Sequence, residues 1–177
     1  MVSHATLIFT ALFALLATGT AHAQNSDLEA HITNLFTQFE TTPPGDELKA
    51  LGSEAGNIIE AMARDESNRS TLRAQAIHAL GYFPTGDRRT LLLDWAQDEK
   101  LQPTLRRKAV WALGNGWQAQ AAADLEPLFD SDNTQMRLAL VKVYATLPAD
   151  SARPVLEARL GVEENETVRA ELQRVIQ

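Results

Sequence analysis

The side chains able to do acid–base, nucleophilic or metal chemistry are few and scattered. The 177 residues contain no cysteine, which removes disulfides, thiolate metal sites, a cysteine nucleophile and a lipid-anchoring thiol together. Behind a leading segment of 23 residues only two histidines remain, His31 and His78. Neither has a second ligand at i+3 or i+4, so no metal site is expected. There is no Gly-x-Ser-x-Gly elbow, no His-Glu-x-x-His, no phosphate-binding loop and no Gly-x-Gly-x-x-Gly. Gly114-Asn115-Gly116 directly follows a predicted helix and reads as a C-cap and turn. Carboxylates are plentiful, but they fall at expected helix starts and inter-helix turns, where they cap ends and favour the helix dipole. The residues therefore predict no catalytic group, no metal and no cofactor. The net charge of −7 argues against a nucleic-acid partner, because a phosphate backbone favours basic surfaces.

The elements that must position the remaining polar groups repeat. Leu72-Arg73-Ala74-Gln75-Ala76-Ile77-His78-Ala79-Leu80-Gly81 is matched by Leu105-Arg106-Arg107-Lys108-Ala109-Val110-Trp111-Ala112-Leu113-Gly114. Weaker copies run from Met136 to Tyr144 and from Val168 to Val175. The arginine after the leading apolar residue falls at 73, 106, 137 and 169, spacings of 33, 31 and 32. A fixed period of that size signals stacked helical units.

Leu28, Ile32, Leu35, Phe36 and Phe39 lie at helical spacing, which predicts a capping helix over 26–40 within a cap and linker region spanning 24–45. Thr41 to Gly45 break it, and Asp46 is the expected N-cap of the next helix. Helix pairs follow at 47–64 with 70–82, 86–97 with 103–114, 117–129 with 133–146, and 150–160 with 166–177. Gly52 and Gly56 lie one turn apart, which permits close approach of a neighbour. Pro127 is expected to kink or trim its helix, and Pro154 to sit in a first turn. Trp95, beside Leu91 and Leu92, reads as core, and Trp117 as the start of a helix.

An acid precedes three of the repeat arginines by seven or eight residues: Asp65, Asp98 and Asp130. The fourth repeat has Gly161 there, with Glu163 and Glu164 nearby. An acidic turn, an apolar-Arg pair, then Ala and Leu on one face ending in Leu-Gly resembles the HEAT repeat family of α-solenoids. The resemblance covers 47–177. It implies an all-α, right-handed superhelix of about four helix pairs behind the N-terminal cap. It also implies a ladder in which Arg73, Arg106, Arg137 and Arg169 pair with carboxylates such as Asp65, Asp98 and Asp130. Proteins with such repeats serve many functions. A lyase-like enzyme built on them, or a purely structural subunit of a larger complex, is the alternative to a binding module, and no residue here supports the enzyme individually.

Eight of the sixteen basic residues lie on the second helices of the pairs, opposed there only by Glu166 and Glu171. Aligning the copies on their arginines puts His78, Trp111, Lys142 and Arg174 in one column, five residues on. With neighbouring helices about 8–10 Å apart, the column becomes an aromatic and basic stripe. Trp111 is the expected apolar anchor, and Arg107, Lys108, Lys142 and Arg174 are expected to project outward as orienting charges. The predicted function is a non-enzymatic protein–protein interaction module, an adaptor or assembly factor, whose second-helix face takes another protein or an acidic peptide.

Residues 1–23 place an apolar run from Leu7 to Ala17 before Ala21-His22-Ala23, a small-x-small pattern that predicts a signal peptide cleaved after Ala23. No Lys or Arg precedes the run. It is too short for a comfortable membrane span, so no membrane insertion is expected once it is removed, and the expected location is the periplasm or outside the cell.

Overall fold

Ala, Leu, Arg, Glu and Gln dominate the composition and are strong helix formers. The computed structural model describes residues 26–38 and 43–177, all helices, turns and short connections, with no strand among the described residues. The leading segment expected to be a signal peptide, Phe39, Thr41 and Thr42 lie outside the described residues.

Residues 26–38 form α1, which buries Ile32 and Phe36. Then come α2 (Gly45–Ala50), α3 (Ser53–Arg64), α4 (Ser70–Ala79), α5 (Gly86–Gln97), α6 (Pro103–Trp117), α7 (Ala119–Leu125), α8 (Thr134–Tyr144), α9 (Ala149–Val162) and α10 (Glu166–Ile176). Short 3₁₀ turns follow α4 (Leu80–Tyr82) and α7 (Glu126–Asp130). The repeating pairs are α3 with α4, α5 with α6, α7 with α8, and α9 with α10. One continuous apolar core runs from Ile32 to Leu172.

Several boundaries differ from the sequence expectation. The helix expected over 47–64 is cut at Gly52, whose φ of 86° lies in the left-handed region that favours glycine. Pro44 takes the N-cap position of α2, leaving Asp46 in its first turn. The Gly114-Asn115-Gly116 segment is not a cap: α6 runs through it, so Trp117 ends α6 rather than starting a helix. Pro127 does trim α7, since the chain tightens into a 3₁₀ turn there. Pro154 lies inside α9, beyond its first turn, where its missing N–H costs an intrahelical bond.

The Leu-Gly ending of the repeat is a packing device. A Cβ on Gly81 would sit 2.5 Å from the carbonyl oxygen of Ala112, and one on Gly116 would sit 2.9 Å from that of Gly81. A Cβ on Gly114 would collide with Val143 Cγ1. The α4 and α6 units therefore touch with backbone close to backbone, and α8 presses the Val143 side chain onto Gly114 of α6. The first helices are linked by longer spacers. From α5, Arg88 donates to Glu60 (3.1 Å) and Asn57 (2.8 Å) on α3, and Arg89 donates to Asp124 (2.7 Å) on α7. From α9, Arg159 reaches Asp130 at 3.5 Å. Short spacers on one layer and long ones on the other bend the stack, with the second helices on the concave side.

The fourth repeat departs from the others in one column. Ile77, Val110 and Val141 occupy one column of the second helices, four residues after the repeat arginine, and each is fully buried. In α10 the same column carries Gln173, which is exposed. A polar residue in that column suits a face that meets water rather than another helix pair.

Candidate functional site

The repeat arginines are structural, and their partners differ from the expected ladder. Arg73 Nε donates to the Ala63 carbonyl (3.2 Å) and Arg106 Nε to that of Ala96 (3.1 Å). Arg169 Nη1 donates to the carbonyls of Leu160 and Glu163. Each closes the C-terminus of the first helix of its own pair, where carbonyls lack intrahelical partners. The acids fold their own turns instead. Asp65 accepts from the Ser67 amide and hydroxyl, and Asp98 from the Lys100 amide. The Ser67 hydroxyl and amide, with the nearby Arg73 charge adding to them, hold the Asp65 carboxyl below its ordinary value.

The third and fourth turns are two residues shorter, which shifts the acid position to Ser131 and Glu163. Ser131 Oγ accepts from the Asn133 amide and Glu163 Oε1 from the Asn165 amide. Glu163, and not Gly161, is thus the fourth-repeat equivalent. It is a buried carboxylate that joins the third and fourth repeats, accepting from Arg137 through both oxygens at 3.0 Å and from Arg159 at 2.9 and 3.0 Å. Burial pushes its pKa up, but the bonds from Arg137, Asn165 and Arg159 outweigh it and hold the carboxyl at about 2. Every oxygen is occupied, so this buried acid has no free lone pair to offer a substrate.

The second helices keep one stripe uncovered. On α6 it is Thr104, Lys108, Trp111 and Asn115, and on α4 it is Thr71, Gln75 and His78. Lys142 on α8 and Arg174 on α10 continue the row as exposed residues. The expected column is therefore present as a surface, with His78 and Trp111 half-buried. Arg107 and Lys108 are also half-buried rather than fully projecting, and Arg107 donates to the Thr104 hydroxyl at 3.3 Å. Trp95 packs half-buried under the Arg64 guanidinium, 5.9 Å from its ring.

Charge along the row is uneven. Arg174 is bound by Glu171 at 2.7 and 2.9 Å, and Glu171 also faces Lys142 electrostatically, so the α10 end is partly neutralised. The α6 end keeps its charge. Burial, then the neighbouring Arg107, lower the Lys108 pKa, and no described carboxylate pairs with it. His78 is held neutral: burial, then Lys108, bring its pKa down to about 4. The Asn115 amide lies 3.1 Å from His78 Nε2, tying α6 to α4. Asn115, Gln75, Thr71 and Thr104 are members of this face that the sequence did not single out. The signal was available, since they lie at helical spacing from Lys108, Trp111 and His78.

Among the described residues no cluster of histidines and carboxylates is arranged to hold a metal ion, and no helix is long and apolar enough to cross a membrane. A family model described as HEAT repeats matches residues 57–145. No curated protein and no solved structure matches the chain.

Proposed function

Because the chain belongs to the HEAT repeat family, whose repeats are commonly protein–protein interaction modules and generally non-enzymatic, we propose that this protein is an adaptor or assembly factor that binds a partner protein on its concave face. One observation carries the reading. The neighbouring columns of α4, α6 and α8 are buried against other helices, while His78 and Trp111 are half-buried and Lys142 and Arg174 are exposed. A half-buried tryptophan flanked by cations suits an interface, where Trp and Arg are enriched among the dominant residues. The leading segment, read as an export signal, places the proposed role in the cell envelope.

Co-purification from native envelopes tests this, comparing wild type with a Trp111→Ala, Lys142→Glu variant shown by circular dichroism to remain helical. The expected result is a partner that is retained by wild type and lost with the variant. A partner held equally by both would remove the concave face from the interaction.

A further inference from the structure

Two adjoining depressions cross the concave side at the cap end of the stack. One, of about 340 Å³, is lined by Ser70, Thr71, Gln75, Gln102, Thr104 and Lys108. The other, of about 380 Å³, lies between α1 and α4, with Thr33, Thr37 and Arg69 on its walls and Phe36 and Leu72 as its apolar part. They share Thr71 and Gln75, so they form one groove.

Its lining departs from the acidic balance of the chain as a whole. The chain carries 23 acids against 16 Lys and Arg, yet none of the lining residues is acidic. A cation stands at each end, Arg69 and Lys108, and neither forms an ion pair with a described carboxylate. Lys108 is already half removed from water and faces the like charge of Arg107. A half-buried ammonium without a counter-ion lowers the cost of bringing a carboxylate to it, because part of the desolvation has already occurred. Between the cations lie hydroxyls and side-chain amides, which both donate and accept, as the backbone of an extended chain does.

We infer that this groove is where the partner is recognised, and that it takes an extended protein segment bearing acidic side chains, seated on Lys108 at one end and Arg69 at the other. The inference rests on the protein-binding reading above and narrows it to the cap-side half of the face. Lys142 and Arg174 then lie outside the recognition groove, consistent with their partial neutralisation by Glu171.

Fluorescence anisotropy of a fluorescein-labelled peptide of alternating glutamate and alanine, titrated with the full chain at low ionic strength, tests the assignment. The lysine–alanine counterpart is the control. The acidic peptide is expected to bind and the basic one not to. Lys108→Glu and Arg69→Glu should each weaken binding roughly tenfold, with Lys108→Gln weakening it less, and Arg153→Glu, exposed on α9 away from the groove, should leave it unchanged. Inorganic phosphate should fail to displace the peptide beyond the effect of equal ionic strength. Wild-type binding by Lys108→Glu and Arg69→Glu overturns the groove. If Lys142→Glu then removes binding instead, the concave interface survives and only the location falls. No binding of the acidic peptide, while a native partner still co-purifies, overturns the acidic segment and leaves the adaptor reading standing. Specific displacement by phosphate reassigns the groove to a free anion and overturns the protein ligand.

Discussion

Arginine plays three different parts in this protein, and only the geometry separates them. Arg73, Arg106 and Arg169 terminate helices through carbonyls, Arg88 and Arg89 link first helices, and Arg137 joins Arg159 on the buried Glu163. The last cluster has a pH signature. The Glu163 carboxyl is held at about 2 against an ordinary 4.5, so its contribution to stability is full above pH 4.5 and is lost as pH falls from about 4.5 to about 2. Glu163→Gln should cost about 3 kcal/mol at neutral pH, because Arg137 and Arg159 keep their charge with no counter-ion. Urea midpoints should converge between wild type and variant as pH is lowered. An offset that persists undiminished to about pH 3 would show that the charge is not what matters. Sequence reading located the repeat arginines but misassigned their partners, because unequal turn lengths hide which acid is equivalent to which. Arg88 had no signal at all: its partners Asn57 and Glu60 lie 31 and 28 residues away and recur in no other repeat.

At the scale of the helix, the period and the apolar faces were legible, and so was the existence of each pair. The boundaries were misread mainly at glycines. A glycine after Leu at the end of an apolar run is equally compatible with a C-cap and with a close crossing, and local sequence does not distinguish them. Here Gly81, Gly114 and Gly116 serve the crossing of α4, α6 and α8, while Gly52 serves a true break. Two alanine substitutions separate these uses. Gly81→Ala drives a methyl group into the Ala112 backbone and should destabilise by about 1–3 kcal/mol, since neither helix can retreat without opening the core. Gly161→Ala lies on α9, where a new Cβ meets nothing, and should stabilise by about 0.5–1 kcal/mol. Thermal melts followed by circular dichroism give both signs, and equal effects at the two positions would refute the crossing as the reason for Gly81.

Across the whole molecule, fold class followed from the repeat, whereas the recognition groove did not. Ser70, Thr71, Gln75, Gln102 and Thr104 are ordinary surface types until α4 and α6 are set side by side. The polar outer column of α10 is a further whole-molecule property. Ala170→Leu with Gln173→Val copies Leu138 and Val141 onto α10 and recreates the apolar column that elsewhere receives the next pair. Light scattering should then show concentration-dependent self-association absent from wild type, and a strictly monomeric variant would mean that column does not define the stacking surface. The two layers also have different mechanical character. Along the inner edge α4 and α6 are spaced by glycine backbone contacts and α6 and α8 by Gly114 against Val143, short contacts with little room to lengthen or shorten, so that edge behaves as a spine. Along the outer edge the spacers are ion pairs on long flexible side chains, which can stretch, re-pair or be screened by salt. Such a two-material strip changes curvature by adjusting its outer edge alone, so the concave surface can open or tighten around what it holds while its floor keeps one spacing.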